Sequence, residues 1–176
     1  MRRLTDVERL HRFMLRLGDE PKARGRVYLT GGATAVLLGW RSTTIDVDIK
    51  LDAAAQPLLR AIPTIKEELE INVELAAPDD FLPELPAWRD RSIFIQRCHA
   101  VDFYHYDLYA QALSKIERGH EQDRVDVEAM ITRGYVDPDQ ALALLARIEP
   151  ELYRFPAVDP AALQNRAREL LGRRDT

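Results

Sequence analysis

Cysteine occurs once, as Cys98, in a chain of 176 residues. That excludes an internal disulfide, and with it the stapled scaffolds of small secreted domains; it fits a reducing compartment. No apolar run approaches the ~18 residues that a spanning helix needs. The opening stretch, MRRLTDVERLHRF, is too charged for a signal peptide. A cytoplasmic protein with no membrane partner is therefore expected. Lysine is scarce too: among 25 basic residues only Lys22, Lys50, Lys66 and Lys115 are lysines. A net charge of −4 argues against broad, non-specific nucleic-acid binding, though not against a local basic patch. Cys98, His99, His105 and His120 lack metal-ligand spacing, which speaks against zinc. No Ser or Cys sits in a nucleophile elbow, and the phosphate-binding signature G-x-x-x-x-G-K-S/T is missing.

What is present is ordinary in amount and informative in order. A hydrophobic fraction of 46% and a charged fraction of 31% suit a soluble globular chain of this length. Leu4 to Leu17 carries apolar residues at helical spacing, with Thr5 and Glu8 in a capping-box pattern. A short strand over 27–30 runs into Gly31-Gly32, and a helix follows over 33–38, closed by Gly39. From Ser42 to Leu51 the period falls to two: Ile45, Val47, Ile49 and Leu51 face one way, and Thr44, Asp46, Asp48 and Lys50 the other. A helix over 53–69, interrupted near Pro63, leads to an alternating strand over 71–75. Two more strands, 91–97 and 100–106, are joined tightly near Cys98-His99. Helices are then predicted over 108–118, 123–132, 138–148 and 160–171, the last two opened by Asp137-Pro138 and Asp159-Pro160. The order gives an α/β (α+β) fold, a small mixed sheet flanked by helices. Residues 1–107 are expected to form its core with the N-terminal helix, and 108–176 a C-terminal helical region packed on that core, either as one domain or as a domain with a helical appendage.

Chemistry concentrates in YLTGGATAVLLGWRSTTIDVDI, Tyr28 to Ile49. Glycines at a strand-to-helix turn let backbone amides approach phosphate oxygens, because no Cβ intrudes. Asp46 and Asp48, two apart on a strand, project from one face. Carboxylates that close repel unless a cation sits between them. Mg²⁺ takes such hard oxygen ligands and completes its shell with water and phosphate. Taken singly, each element has a plain reading as a turn or a solvated face; their order on one strand–turn–helix–strand frame is what points to a metal–triphosphate site.

Gly-Gly followed, after a helix, by alternating hydrophobic residues and Asp resembles the core of the nucleotidyltransferase (polymerase β-like) superfamily. Within it, GGATAVLLGWRSTTIDVDI is similar to the AbiEii-like toxin branch and related uncharacterised bacterial proteins, in which Arg-x-Thr precedes the acidic pair, here Arg41-Ser42-Thr43 or Thr44. The likeness is firm over about residues 26–50 and extends more loosely to about 131. It implies that Asp46 and Asp48 hold Mg²⁺ or Mn²⁺ and that Gly31, Gly32, Thr34, Arg41 and Thr44 contact a nucleoside triphosphate. It also implies a third carboxylate, Glu74 or Asp102, a lysine at the triphosphate, Lys115, and an Asp-x-x-Asp, Asp123 and Asp126, positioning Lys115 or Arg118 or touching substrate. The activity implied is transfer of a nucleoside monophosphate to RNA or tRNA, a protein or a small molecule, with an antitoxin protein as a partner. The alternative is a non-catalytic nucleotide- or partner-binding module on the same fold. Trp40, Trp88, Tyr104 and Tyr106 read as core or sheet packing, and Arg166, Arg168, Arg173 and Arg174 as a solvated helix face.

Overall fold

The computed structural model describes residues 4–172; Arg173 and Arg174 lie outside the described residues. The chain divides into two compact units. One comprises the residues to Ala77 with Ser92–Tyr106, the other Pro78–Arg91 with the residues from Asp107 on.

The first unit holds α1 (Val7–Gly18), β1 (Gly25–Thr30), α2 (Gly31–Leu37), β2 (Asp46–Leu51), α3 (Ile62–Leu69) and β3 (Asn72–Leu75). Between the first unit's two stretches of chain falls α4 (Trp88–Arg91), of the second unit; β4 (Ile93–Cys98) and β5 (Val101–His105) then complete the first. Five strands make one mixed sheet in the order β3-β2-β1-β5-β4. β1 runs antiparallel to β2 and parallel to β5; β2 is parallel to β3, and β4 antiparallel to β5.

Alternation assigns the two faces of the sheet. Val27, Leu29, Val47, Ile49, Leu51, Val73, Val101 and Phe103 join one buried cluster with Leu10, Phe13, Met14 and Leu17 of α1 and Ile62 and Ile65 of α3. Burying side chains of this size contributes roughly 1.5–3 kcal/mol each before entropy is counted. The opposite face carries Tyr28 and Thr30 of β1, Asp46, Asp48 and Lys50 of β2, Asn72 and Glu74 of β3, and Asp102 and Tyr104 of β5, as the strand registers require. Tyr28 stacks at a tilt on Tyr104, 5.6 Å between ring centroids, so the tyrosine expected in the sheet packing is found there.

Three local expectations are corrected. α1 starts at Val7, capped by the Asp6 carboxylate accepting from Arg9 N–H at 3.0 Å. Thr5, expected in a capping box with Glu8, is taken instead by a two-way backbone bridge to Thr44. Next to that bridge the alternation expected from Ser42 starts late, because β2 begins at Asp46. Ile45 is accordingly 70% exposed, whereas Thr44, expected on the polar side, is buried. The helix expected over 53–69 is interrupted beside Pro63 as expected, but the part before the break, Gln56–Arg60, is a 3₁₀ turn rather than α-helix, and α3 follows it, with proline early in each.

The second unit is helical: besides α4 it has α5 (Leu108–Arg118), α6 (Glu121–Thr132), α7 (Pro138–Ile148) and α8 (Pro160–Leu171). Asp137 and Asp159 cap α7 and α8 by accepting from Gln140 and Ala162 N–H at 2.9 and 3.1 Å. Leu113, Ile116, Met130, Leu145 and Leu163 are buried on these helices, and α5 packs against α6, α7 and α8. Arg166 is not simply solvated: its guanidinium donates to the carbonyls of Ile116 and Glu117, satisfying groups at the C-terminus of α5 that the helix itself leaves open. Arg168 is exposed. No helix among the described residues is long and apolar enough to cross a membrane.

Candidate active site

The acidic face is built by two parallel strands in register. Asp46 stands opposite Asn72, and Asp48 opposite Glu74. Asn72 Nδ2 donates to Asp46 Oδ1 at 2.6 Å and to Glu74 Oε1 at 2.8 Å, so one amide ties the two acids together. The alternation over 71–75 puts Asn72 on the same side as Glu74, two residues on, which is the only signal of this role that the sequence carries.

On the other flank of β2, Thr30 pairs with Asp48, and the chain turns directly into α2 through the glycines. Gly31 adopts φ +61, a region L side chains rarely occupy. A Cβ there would stand 2.8 Å from Asp48 Oδ2, and a Cβ at Gly32 would stand 2.0 Å from Thr44 Oγ1. The glycine pair is therefore explained by what presses on it: the Asp48 carboxylate on one residue and the Thr44 hydroxyl on the next. Thr44 also donates to the Asp46 carbonyl at 3.0 Å, fixing the entry to β2.

Gly31, Gly32, Thr44, Asp46, Asp48, Asn72 and Glu74 are thus assembled on one part of the sheet. Other expected residues are placed elsewhere. Thr34 is fully buried, its hydroxyl donating to the Leu29 carbonyl at 3.3 Å and lying 3.0 Å from His105 Nδ1. Arg41 is half-buried in the segment after α2, its backbone N–H donating to Ala35. Asp102 stands opposite Arg26 at the far end of β1 from Gly31. Four residues along β1, about 13 Å, and two strand spacings part it from Asp48, beyond the reach of a shared ion. It is instead clasped by Arg97 at 2.6 and 2.8 Å, and that hydrogen bond, outweighing a small burial effect, holds its carboxyl below the usual range.

Lys115, Asp123 and Asp126 come together in the second unit. Lys115, only 6% exposed, donates to Asp126 Oδ2 at 2.7 Å and to Asp123 Oδ1 at 3.4 Å. Arg118 donates to both oxygens of Asp123, one bond being 2.7 Å. Burial pushes the Asp123 carboxyl upward, but the Arg118 hydrogen bond and the charges of Lys115 and Arg118 prevail and hold it below the ordinary range.

Among the described residues no group of three His, Cys, Asp or Glu side chains is arranged to hold a metal ion. The donor set of the acidic face still fits Mg²⁺, which characteristically uses one or two carboxylates and takes its remaining ligands from water and substrate phosphate. Asp46 and Asp48 would supply those two carboxylates, with Glu74 joined to Asp46 through Asn72.

His105, behind the site, carries a pH prediction. Burial pushes its imidazole down to about 4 from an ordinary 6.5. As pH falls below about 6.5 the unfolded chain binds a proton that the folded chain refuses, so stability is level above that pH and is lost between 6.5 and 4. The full loss amounts to roughly 3 kcal/mol. Urea unfolding at pH 7.5 and 5 checks it: His105→Gln should flatten this decline, and an unchanged decline would refute the assignment.

A five-stranded mixed sheet flanked by helices, with two strand carboxylates beside a Gly-Gly turn, defines a protein of the nucleotidyltransferase class. The chain belongs to the family described as "Nucleotidyltransferase of unknown function (DUF6036)", whose family model matches residues 3–154. No curated protein matches the chain, and no solved structure does.

Proposed function

We propose that this protein transfers a nucleoside monophosphate from a nucleoside triphosphate to an acceptor hydroxyl, using Mg²⁺ or Mn²⁺ held by Asp46 and Asp48. The observation that carries the reading is the pressing of the Asp48 carboxylate onto the backbone of Gly31, with Asp46 on the same strand face. This sets a cation's ligands beside main-chain donors that a side chain would otherwise cover. A divalent ion held by Asp46 and Asp48 would supply Lewis acidity toward the triphosphate. Asn72 keeps the Asp46 oxygen in place by donating to it. Glu74, on the same face and joined to Asp46 through Asn72, is favoured over Asp102 as the carboxylate that accepts the acceptor's proton. Kinship to the AbiEii-like branch, with RNA, tRNA or a protein as acceptor and a toxin's role opposed by an antitoxin, is the finer form of the same reading.

The test is transfer of label from α-labelled triphosphates, with all four bases, to RNA and protein fractions of a cell extract. Metal-dependent labelling that chelator abolishes is expected. No labelling with any base in Mg²⁺ or Mn²⁺ would favour a nucleotide- or partner-binding module.

A further inference from the structure

We infer that the first unit carries a second anion site, a groove for the phosphate chain of a single-stranded nucleic acid, at the end of the sheet away from the acidic face. The groove encloses about 1020 Å³ and is lined by Lys22, Arg24 and Arg60, with Leu58 and Ala61 among the residues of its floor. It opens where β1 begins, and the six residues of β1 separate it from the Gly31 turn, about 20 Å along the strand. It therefore stands apart from the proposed transfer site and does not depend on that reading.

Charge is the first argument. Among the described residues the side chains of Lys22, Arg24 and Arg60 make no hydrogen bond or ion pair with the protein. The one acid on the groove, Glu20, is held by Arg16 at 2.5 Å. Three uncompensated cations thus line one concavity in a chain whose net charge is −4. Backbone strain is the second. Lys22 is held at φ +62, in a turn closed by the Ala23 N–H donating to the Glu20 carbonyl at 2.9 Å. A bulky residue in that conformation is uncommon and costs energy, and here it sets a cation on the rim.

The floor says what kind of anion is read. Its side chains are small or aliphatic, with no aromatic ring on which a base could stack. Recognition is then of charge, which two arginines and a lysine on one groove supply to phosphate oxygens. A nucleic-acid strand and a free polyphosphate share this chemistry, and the test separates them.

The Asp46→Asn/Asp48→Asn protein, in chelator and without divalent metal, is titrated into a labelled mixed-sequence 12-nucleotide RNA and followed by anisotropy. Working without metal makes the outcome independent of the transfer chemistry, so failure here leaves that reading standing. Binding should be indifferent to base sequence, with a log–log salt slope of about −2 for three phosphate contacts on a single strand. Adding Lys22→Ala, Arg24→Ala and Arg60→Ala should weaken it about 100-fold and flatten the slope. Lys22→Arg, which keeps the charge and adds a fork, should keep affinity within a few-fold. Displacement by tripolyphosphate at equal phosphate concentration would assign the groove to a free polyphosphate; RNA held against it would assign a strand. No binding, binding that the triple alanine variant keeps while its urea midpoint is unchanged, or equal displacement by polyglutamate would overturn the inference.

Discussion

Replacing Asp46 and Asp48 together by asparagine is expected to reduce metal-dependent transfer at least about 1,000-fold, several kcal/mol in the barrier, while the protein stays folded. Both side chains are half-buried on one strand face, and asparagine keeps their volume while removing the charge that attracts a divalent ion. Stability without metal should hold or rise, because the substitution relieves two carboxylates placed two residues apart. The wild type should differ in the opposite direction on adding Mg²⁺ and triphosphate: its melting midpoint should climb with ligand concentration, as binding to the native state alone requires. The doubly substituted protein should show no such climb. Isothermal titration and thermal melts in matched metal concentrations measure both quantities. Equal triphosphate binding by the two proteins would remove Asp46 and Asp48 from the metal's coordination.

The residues that defined this site were legible because their signals are local. Alternation on Asp46-Val47-Asp48-Ile49 sets the face of each side chain within one strand, and the Gly-Gly pair marks its own turn. The helices from Leu108 on were equally readable, since aspartate and proline at the openings of α7 and α8 satisfy end groups within a single turn. What the sequence hid depends on partners distant in the chain. Thr5 could not be read as Thr44's bridge partner from its neighbours, and the capping-box spacing with Glu8 was a competing local signal that lost to a tertiary pairing. Asn72 acquires its role only once β3 lies beside β2 in register. Thr34 belonged to the same glycine-rich segment as Gly31, yet a helical rotation carries it into the core against His105. The glycines were read as an opening for phosphate; the structure adds that Asp48 and Thr44 need the same space.

Asp126→Ala is expected to be the most destabilising single change in the second unit, by about 3–5 kcal/mol, because it strands a buried ammonium. Lys115 is 6% exposed and Asp126 fully buried, and their 2.7 Å contact is the shorter of the lysine's two ion pairs. The remaining partner, Asp123, is also engaged by Arg118, so it compensates only in part. Replacing both ends, Lys115→Met with Asp126→Leu, removes the two charges at similar volume, and much of the loss should be recovered, as buried ion pairs replaced by apolar residues commonly allow. Urea unfolding of the two single variants and the double variant gives the coupling directly. If the double variant is no more stable than Asp126→Ala, the pair is not the source of the cost. The recovered protein then answers a second question, since it is folded without Lys115. Unchanged transfer by it would make the lysine a structural cation bridging α5 and α6. A rise in KM for triphosphate would give it the phosphate-binding role that the family resemblance implies.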